Sequence, residues 1–138
     1  MKIRKIQEAD LTVLAKLNAD IFGDTKEKQA LKVFRDCLKN GVRDACLLAE
    51  EGEIIGAVFT EKKLTFSEKA AGIKSIFVKK KCRGKGVGRI LLGRCVSALR
   101  KKGYKSVSLT VDRKNKNAIS IYEKSGFRPF RIMYLKEL

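Results

Sequence analysis

The stretch Ile73-Lys-Ser-Ile-Phe-Val-Lys-Lys-Lys-Cys-Arg-Gly-Lys-Gly-Val-Gly88 runs from an apolar segment into a basic, glycine-rich one. Ile73 to Val78 has little polar alternation at its end, as expected of a strand in the middle of a sheet. Past the glycines, Val87, Leu91, Cys95, Ala98 and Leu99 fall on one face of a helix that ends near Gly103. A strand, a glycine-rich loop and a helix in this order build an anion site. The first N–H groups of a helix lack partners, the macrodipole favours negative charge, and glycines let the main chain close on a phosphate. Lys79, Lys80, Lys81, Arg83 and Lys85 surround the loop with positive charge. A pyrophosphate is the natural guest.

Two common pyrophosphate sites do not fit. A P-loop needs G-x-x-x-x-G-K-[ST], and the chain contains no such string. A dinucleotide fold needs G-x-G-x-x-G, whereas Gly84, Gly86 and Gly88 are spaced G-x-G-x-G. Asp112 does stand where a ribose-binding acid would. However, five residues separate Val78 from Gly84, too many for the tight first turn of that fold.

Outward from this unit, Lys2 to Ile6 alternates as a short first strand does. Asp10 is positioned to cap a helix with Leu11, Leu14, Leu17 and Ile21 on one face, broken by Gly23-Asp24. A second helix spans about Lys26 to Leu38, with Ala30, Val33, Phe34 and Cys37 inward, and stops at Asn40-Gly41. Ala45 to Glu50 and Ile54 to Phe59 read as a hairpin turning at Glu51-Gly52. Leu64 to Ala71 is ambiguous between loop and strand. Ser106 to Val111 reads as a strand, Asn117 to Lys124 as a helix closed by Ser125-Gly126, and Phe127 to Leu138 as one or two last strands. The order βααβββαβαβ, mixing hairpins with one β-loop-α-β unit, predicts one α/β domain over residues 1–138 with a mixed sheet.

Composition narrows the function. With 44% apolar residues in 138, the chain has material for one globular domain. No run approaches a membrane span, and Met1 to Glu8 carries no apolar secretory core, so a cytoplasmic protein with no membrane partner is expected. Cys37, Cys46, Cys82 and Cys95 form no CxxC pair, and there is no histidine, so imidazole metal sites are excluded and reduced thiols expected. Thirty-two Lys and Arg against fifteen Asp and Glu give a net charge of +17. Such a field attracts polyanions: a nucleotide cofactor, RNA or an acidic protein.

Arg83-Gly-Lys-Gly86-Val-Gly88 also matches the R/Q-x-x-G-x-G/A motif of the GNAT superfamily of N-acetyltransferases, with that family's five-residue spacing from the strand. Asn115-Lys-Asn-Ala118-Ile-Ser-Ile-Tyr122-Glu-Lys-Ser-Gly126-Phe127 resembles its N-x-x-A-x-x-x-Y-E-K-x-G-F block. Ile3-Arg4-Lys5 with Ala9-Asp10-Leu11, and Met133-Tyr-Leu-Lys-Glu-Leu138, resemble its two ends. The chain is thus similar to small GNAT enzymes, including those that acetylate ribosomal proteins and N-termini. The resemblance implies a splayed, mixed sheet flanked by helices, and acetyl-CoA as cosubstrate. It implies that the backbone of Ile76, Phe77 and Val78 pairs with the pantetheine arm. The amides of Arg83, Gly84, Lys85, Gly86, Val87 and Gly88 would hold the pyrophosphate, Asn115 would touch cofactor or substrate, and Tyr122 would protonate the departing thiolate. The implied acceptor is an amine, on a small molecule or a protein.

The role of Tyr122 also has a chemical argument. A thiol leaves only if its sulfur gains a proton, and without histidine a tyrosine hydroxyl on a helix beside the groove can donate it. The plainer reading makes Tyr122 a core aromatic one turn after Ala118. No base is evident, since the strand before the loop lacks an acid, Glu68 is the nearest and Asp112 ends the neighbouring strand. A second class stays open: a basic module that binds CoA or nucleic acid without chemistry. Against RNA as the main ligand, aromatics are 7% and tryptophan is absent. The +17 charge also disfavours a polycationic acceptor such as spermidine.

Cys82 precedes the helix at the phosphate end of the motif, far from a thioester, so it is not expected to carry the acyl group. Cys82→Ser is expected to keep most of the turnover. An inactive serine variant together with an acetyl adduct on Cys82 by mass spectrometry would contradict this.

Overall fold

A computed structural model of the chain describes residues 1–23, 26–63 and 69–138. Its strands are β1 (Lys2–Lys5), β2 (Leu47–Glu51), β3 (Glu53–Lys62), β4 (Ala70–Val78) and β5 (Ser106–Ser108). Its α-helices are α1 (Leu11–Phe22), α2 (Glu27–Asn40), α3 (Val87–Lys101) and α4 (Lys116–Lys124). The strands form one sheet in the order β1-β2-β3-β4-β5. β1 to β4 pair antiparallel, and β5 joins β4 in parallel. This is the mixed α/β sheet that the sequence pattern predicts.

The two faces are buried by the apolar stripes read above. On one, Leu11 and Leu14 of α1 and Phe34, Cys37 and Leu38 of α2 pack on Ile6, Leu48, Phe59 and Phe77. Phe34 stacks on Phe59 at 4.0 Å between ring centroids. On the other face, Leu91, Leu92, Cys95 and Leu99 of α3 cover Ala49, Val58, Ala71 and Ile73. Cys37, Cys46 and Cys95 are buried free thiols, and Cys82 is half-buried. Burial pushes the Cys37 and Cys95 thiols up to about 12, which keeps them protonated and unreactive. Among the described residues no helix is long and apolar enough to cross a membrane.

One irregularity organises β4. Phe59 pairs with Ser75, but the next residue, Thr60, pairs with Ile73. Lys74 is therefore the extra residue of a β-bulge, which bends its strand and sharpens the twist. It also shifts the alternation by one. Ala71 and Ile73 pack in the α3 cluster before it, and Ile76 and Val78 do so after it, with Phe77 turned to the α1/α2 side. β5 follows β4 only across Ala70, Ala71 and Gly72. From Ile73 to Val78, β4 has a strand neighbour among the described residues on the β3 side alone.

Several expectations need correction. Asp10 does not cap α1 with its side chain. Its carboxylate accepts the Gln7 amide at 2.7 Å and two guanidinium bonds from Arg4 at 2.8 and 2.9 Å. Arg4 holds the carboxyl of Asp10 below its usual range and also binds Glu50 at 2.6 Å, fastening β1 to both α1 and β2. The strand expected over Ser106 to Val111 is only three residues long, because β5 leaves β4 where β4 begins to bend. Phe127 to Leu138 forms no strand. The Phe127 amide bonds to the Tyr122 carbonyl at 3.0 Å and its ring packs edge-on to Tyr122, but so short a β5 offers little edge for a further ladder. Beyond it the chain stays exposed, Tyr134 at 89% and Leu135 at 86%. Of the ambiguous Leu64 to Ala71, residues 64–68 lie outside the described ones, as does Asp24, and Ala70 and Ala71 belong to β4.

Thr60 is the one buried polar residue among those described. Its hydroxyl donates to the Val42 carbonyl at 2.9 Å and accepts the Val42 amide at 3.3 Å, tying the end of α2 to β3 beside the bulge. Thr60→Val keeps the shape but leaves the Val42 amide unpaired, while the Val42 carbonyl keeps the Ala45 amide at 2.9 Å. A buried group so orphaned costs about 1–3 kcal/mol, so urea unfolding is expected to show a loss of that size. An unchanged midpoint would mean that water satisfies Val42.

Candidate functional site

The chain after β4 turns through Lys80–Cys82 and reaches α3 at Gly86. Gly86 sits at φ 83° and Gly84 at φ 81°, the left-handed region that side-chain-bearing residues avoid. A Cβ at either would meet nothing within 4 Å, so conformation and not space requires glycine there. The first helical amide to find a carbonyl is that of Ile90, which donates to Gly86 at 3.0 Å. The amides of Val87, Gly88 and Arg89 therefore have no acceptor within the helix. No acid lies in this first turn. The arrangement fits a diphosphate: free amides, the positive end of a 15-residue helix and no competing carboxylate.

The loop is held to the end of β4. Arg83 Nε donates to the Val78 carbonyl at 3.1 Å, and a Cβ on Gly88 would stand 3.6 Å from Val78 Cγ2. Among the five cations of the loop, Lys79 and Lys81 bind Glu53 at 2.7 and 3.3 Å. Lys80, Arg83 and Lys85 have no carboxylate partner among the described residues. The free charge thus stands nearest the open helix end.

Where β5 leaves β4, a cleft of about 250 Å³ opens. It is lined by Ile73, Lys74, Ser75 and Ile76 of β4, by Leu109 to Asp112 beyond β5, by Asn115, Ala118 and Tyr122, and by Phe22. A second cleft, of about 380 Å³, lies against α1 and α2, with Asn18, Lys26, Gln29, Ala30, Val33 and Phe34 along it. Lys74 and Ser75 border both clefts, so the two meet at the bulge.

Of the residues singled out in the sequence, Ile76, Asn115 and Tyr122 come together in the first cleft. The ring of Phe77 is buried on the α1/α2 side. In the register where the Lys79 amide meets the Ile55 carbonyl at 2.7 Å, the Phe77 N–H and C=O face Ala57 of β3, so the backbone groups of Ile76 and Val78, not those of Phe77, face the open edge. Val78 and Arg83 to Gly88 form the neighbouring loop, and the Val78 carbonyl is already engaged by Arg83. Asn115 is the N-cap of α4: its Oδ1 accepts the Ala118 amide at 3.2 Å, leaving its amide NH₂ available. Tyr122 is half-buried against the α3 cluster, and burial raises its phenol above the usual 10, so the group stays a proton donor. Asp112 accepts the Lys114 amide at 2.8 Å and so serves a turn. Glu68 lies outside the described residues. Sequence reading missed Lys74 and Ser75, because a bulge leaves no mark on an apolar strand pattern. Asn18 and Gln29 read as helix polars with nothing to distinguish them.

The description "Acetyltransferase (GNAT) family" belongs to the family model that matches residues 11–127. The chain is 28% identical over 135 residues to an uncharacterised N-acetyltransferase, YhfO, of Bacillus subtilis, covering 92% of this chain and 89% of that one. A solved structure of ribosomal-protein-alanine N-acetyltransferase from Brucella melitensis superposes with a TM-score of 0.76 at 25% identity, over 93% of this chain and 85% of its own. AAC(6')-Iy, solved with the bisubstrate analogue CoA-S-monomethyl-acetylneamine, gives a TM-score of 0.80 over 99% and 97% of the two chains; at 16% identity this is a likeness of fold.

Gly88 is helical, and a side chain there meets only an ordinary contact, so Gly88→Asp is expected to fold. An acid in the first turn of a helix is stabilising by itself. It would also set a negative charge against a bound diphosphate. Acetyl-CoA affinity by calorimetry is expected to fall at least about tenfold, or 1.4 kcal/mol, with no loss of melting temperature. Unchanged affinity would remove the phosphates from this helix end.

Proposed function

The chain belongs to the GNAT family of acetyltransferases, and on that premise we propose that it moves the acetyl group of acetyl-CoA directly to a primary amine. The observation that carries this reading is the meeting of two clefts at Lys74 and Ser75, with a tyrosine hydroxyl on one side and an open α1/α2 cleft on the other. Two substrates held in adjacent clefts can react without an acyl-enzyme. Acetyl-CoA supplies an acetyl group activated as a thioester.

The residues divide the work by position. The amides of Gly84 to Gly88 and the first turn of α3 hold the diphosphate, the Arg83 amide being engaged by the Lys80 carbonyl at 3.3 Å, and Lys80, Arg83 and Lys85 neutralise it. The open backbone of Ile76, with the Val78 amide at its end and Phe77 holding the segment to β3, takes the pantetheine amides as a neighbouring strand would. The free NH₂ of Asn115 orients the cofactor arm or the acceptor. The Tyr122 hydroxyl donates its proton to the leaving sulfur. No carboxylate among the described residues borders the α1/α2 cleft. The amine proton therefore passes to water, and nearby lysines favour the uncharged, reactive form of the amine. We place the enzyme in the cytoplasm, where its thiols stay reduced.

Tyr122→Phe keeps the ring against Phe127 and removes only the donor. General acid catalysis contributes about 10²–10⁴-fold, so kcat is expected to fall in that range when chemistry limits turnover. Acetyl-CoA affinity is expected to change little, because the hydroxyl acts as charge develops on sulfur. Because burial raises the phenol above 10, its loss of protonation is expected to depress the wild-type rate only above that pH. A phenylalanine variant with wild-type kcat would assign Tyr122 to packing.

A further inference from the structure

We infer that the acceptor is an amine whose own molecule carries an anionic group, and that Lys74 binds that group; this rests on the acetyltransferase reading above. Among the described residues, the α1/α2 cleft is lined by two lysines, Lys26 and Lys74, and by no aspartate or glutamate. Among the described residues, the acid bordering the adjoining cleft is Asp112, whose Oδ1 accepts the Lys114 amide. A site for a polycationic amine needs carboxylates to replace the water around each ammonium. Here such a substrate would instead face like charge, within a protein of net charge +17.

Lys74 is suited to the task by its backbone. As the extra residue of the bulge it is not obliged to follow the alternation that sends its neighbours into one core or the other. It is exposed, borders both clefts, and its ammonium has no hydrogen bond or ion pair among the described residues. An ammonium kept without a partner at the junction of two clefts can pair with an anion on the acceptor while the amine of the same molecule reaches the thioester. Asn18, Gln29 and Ser75 offer neutral hydrogen bonds to the rest of the molecule.

The test uses matched acceptors: glucosamine 6-phosphate against glucosamine, and phenylalanine against phenylalanine amide, with spermidine and kanamycin as cationic probes. Thiol release gives kcat and KM for each, and calorimetry gives acetyl-CoA affinity separately. The wild type is expected to prefer the anionic member of at least one pair. In folded Lys74→Met that preference is expected to collapse about tenfold or more through KM, as for loss of one charge-assisted hydrogen bond, and Lys74→Arg is expected to retain it. A wild type that binds acetyl-CoA but prefers neutral or cationic amines, or turns over no anionic member, would overturn the acceptor class and leave the acetyl-CoA site standing. Preference that survives Lys74→Met would overturn the assignment to Lys74. Failure to bind acetyl-CoA at all would remove the underlying reading with it.

Discussion

β4 is asked to satisfy two neighbours that run differently. β3 follows it along its length, while β5 accompanies it only from Ala70 to Gly72. Between these two demands stands one extra residue, Lys74. Without it, alternation would carry Ile73 and Phe77 to the same face; with it, Ile73 lies in the α3 core and Phe77 in the α1/α2 core. The bend falls two residues beyond the last β5 pairing. The parting of the strands, the cleft between them, and the junction with the α1/α2 cleft all occur around this one position. A sheet that stayed regular would carry the parallel ladder on past Gly72 and leave no room for a ligand arm.

Much of this could be read from residue order, and the reasons are local. The α3 stripe and the glycines before it announce an anion-binding helix start because helix period and backbone freedom are properties of short segments. The β2–β3 hairpin follows from Gly52 between two apolar runs for the same reason. What could not be read depends on partners distant in the chain. The bulge is a mismatch between two strands and belongs to neither alone. The brevity of β5 and the unpaired course after Phe127 depend on where β4 bends. Asp10 looks like a cap, yet Arg4 and the Gln7 amide take its oxygens first. Asn115 is the converse case: Asn just before a helix is a capping signal, and the side chain does cap α4.

Charge is placed as unevenly as its excess suggests. Glu53 takes up Lys79 and Lys81 on the hairpin side of the loop, which leaves Lys80, Arg83 and Lys85 toward the amides of α3. Asp44 similarly takes up Lys5 and Lys102, and those pairs hold its carboxyl down at about 2. Such exposed pairs contribute little to stability. Their effect is to decide which cations remain for a ligand, and among those that remain are Lys80, Arg83 and Lys85 at the helix start and Lys74 at the junction of the clefts.

The central claim is that acetyl-CoA lies along the opened edge of β4 with its phosphates on α3. Amide-resolved NMR of the intact chain, titrated with acetyl-CoA, addresses it directly. The account predicts saturable shifts at Ile76, Phe77 and Val78 and from Gly84 to Arg89, with the Glu51–Glu53 turn of the hairpin unmoved. Shifts confined to β1, β2 and the hairpin, or none at saturating ligand, would contradict it.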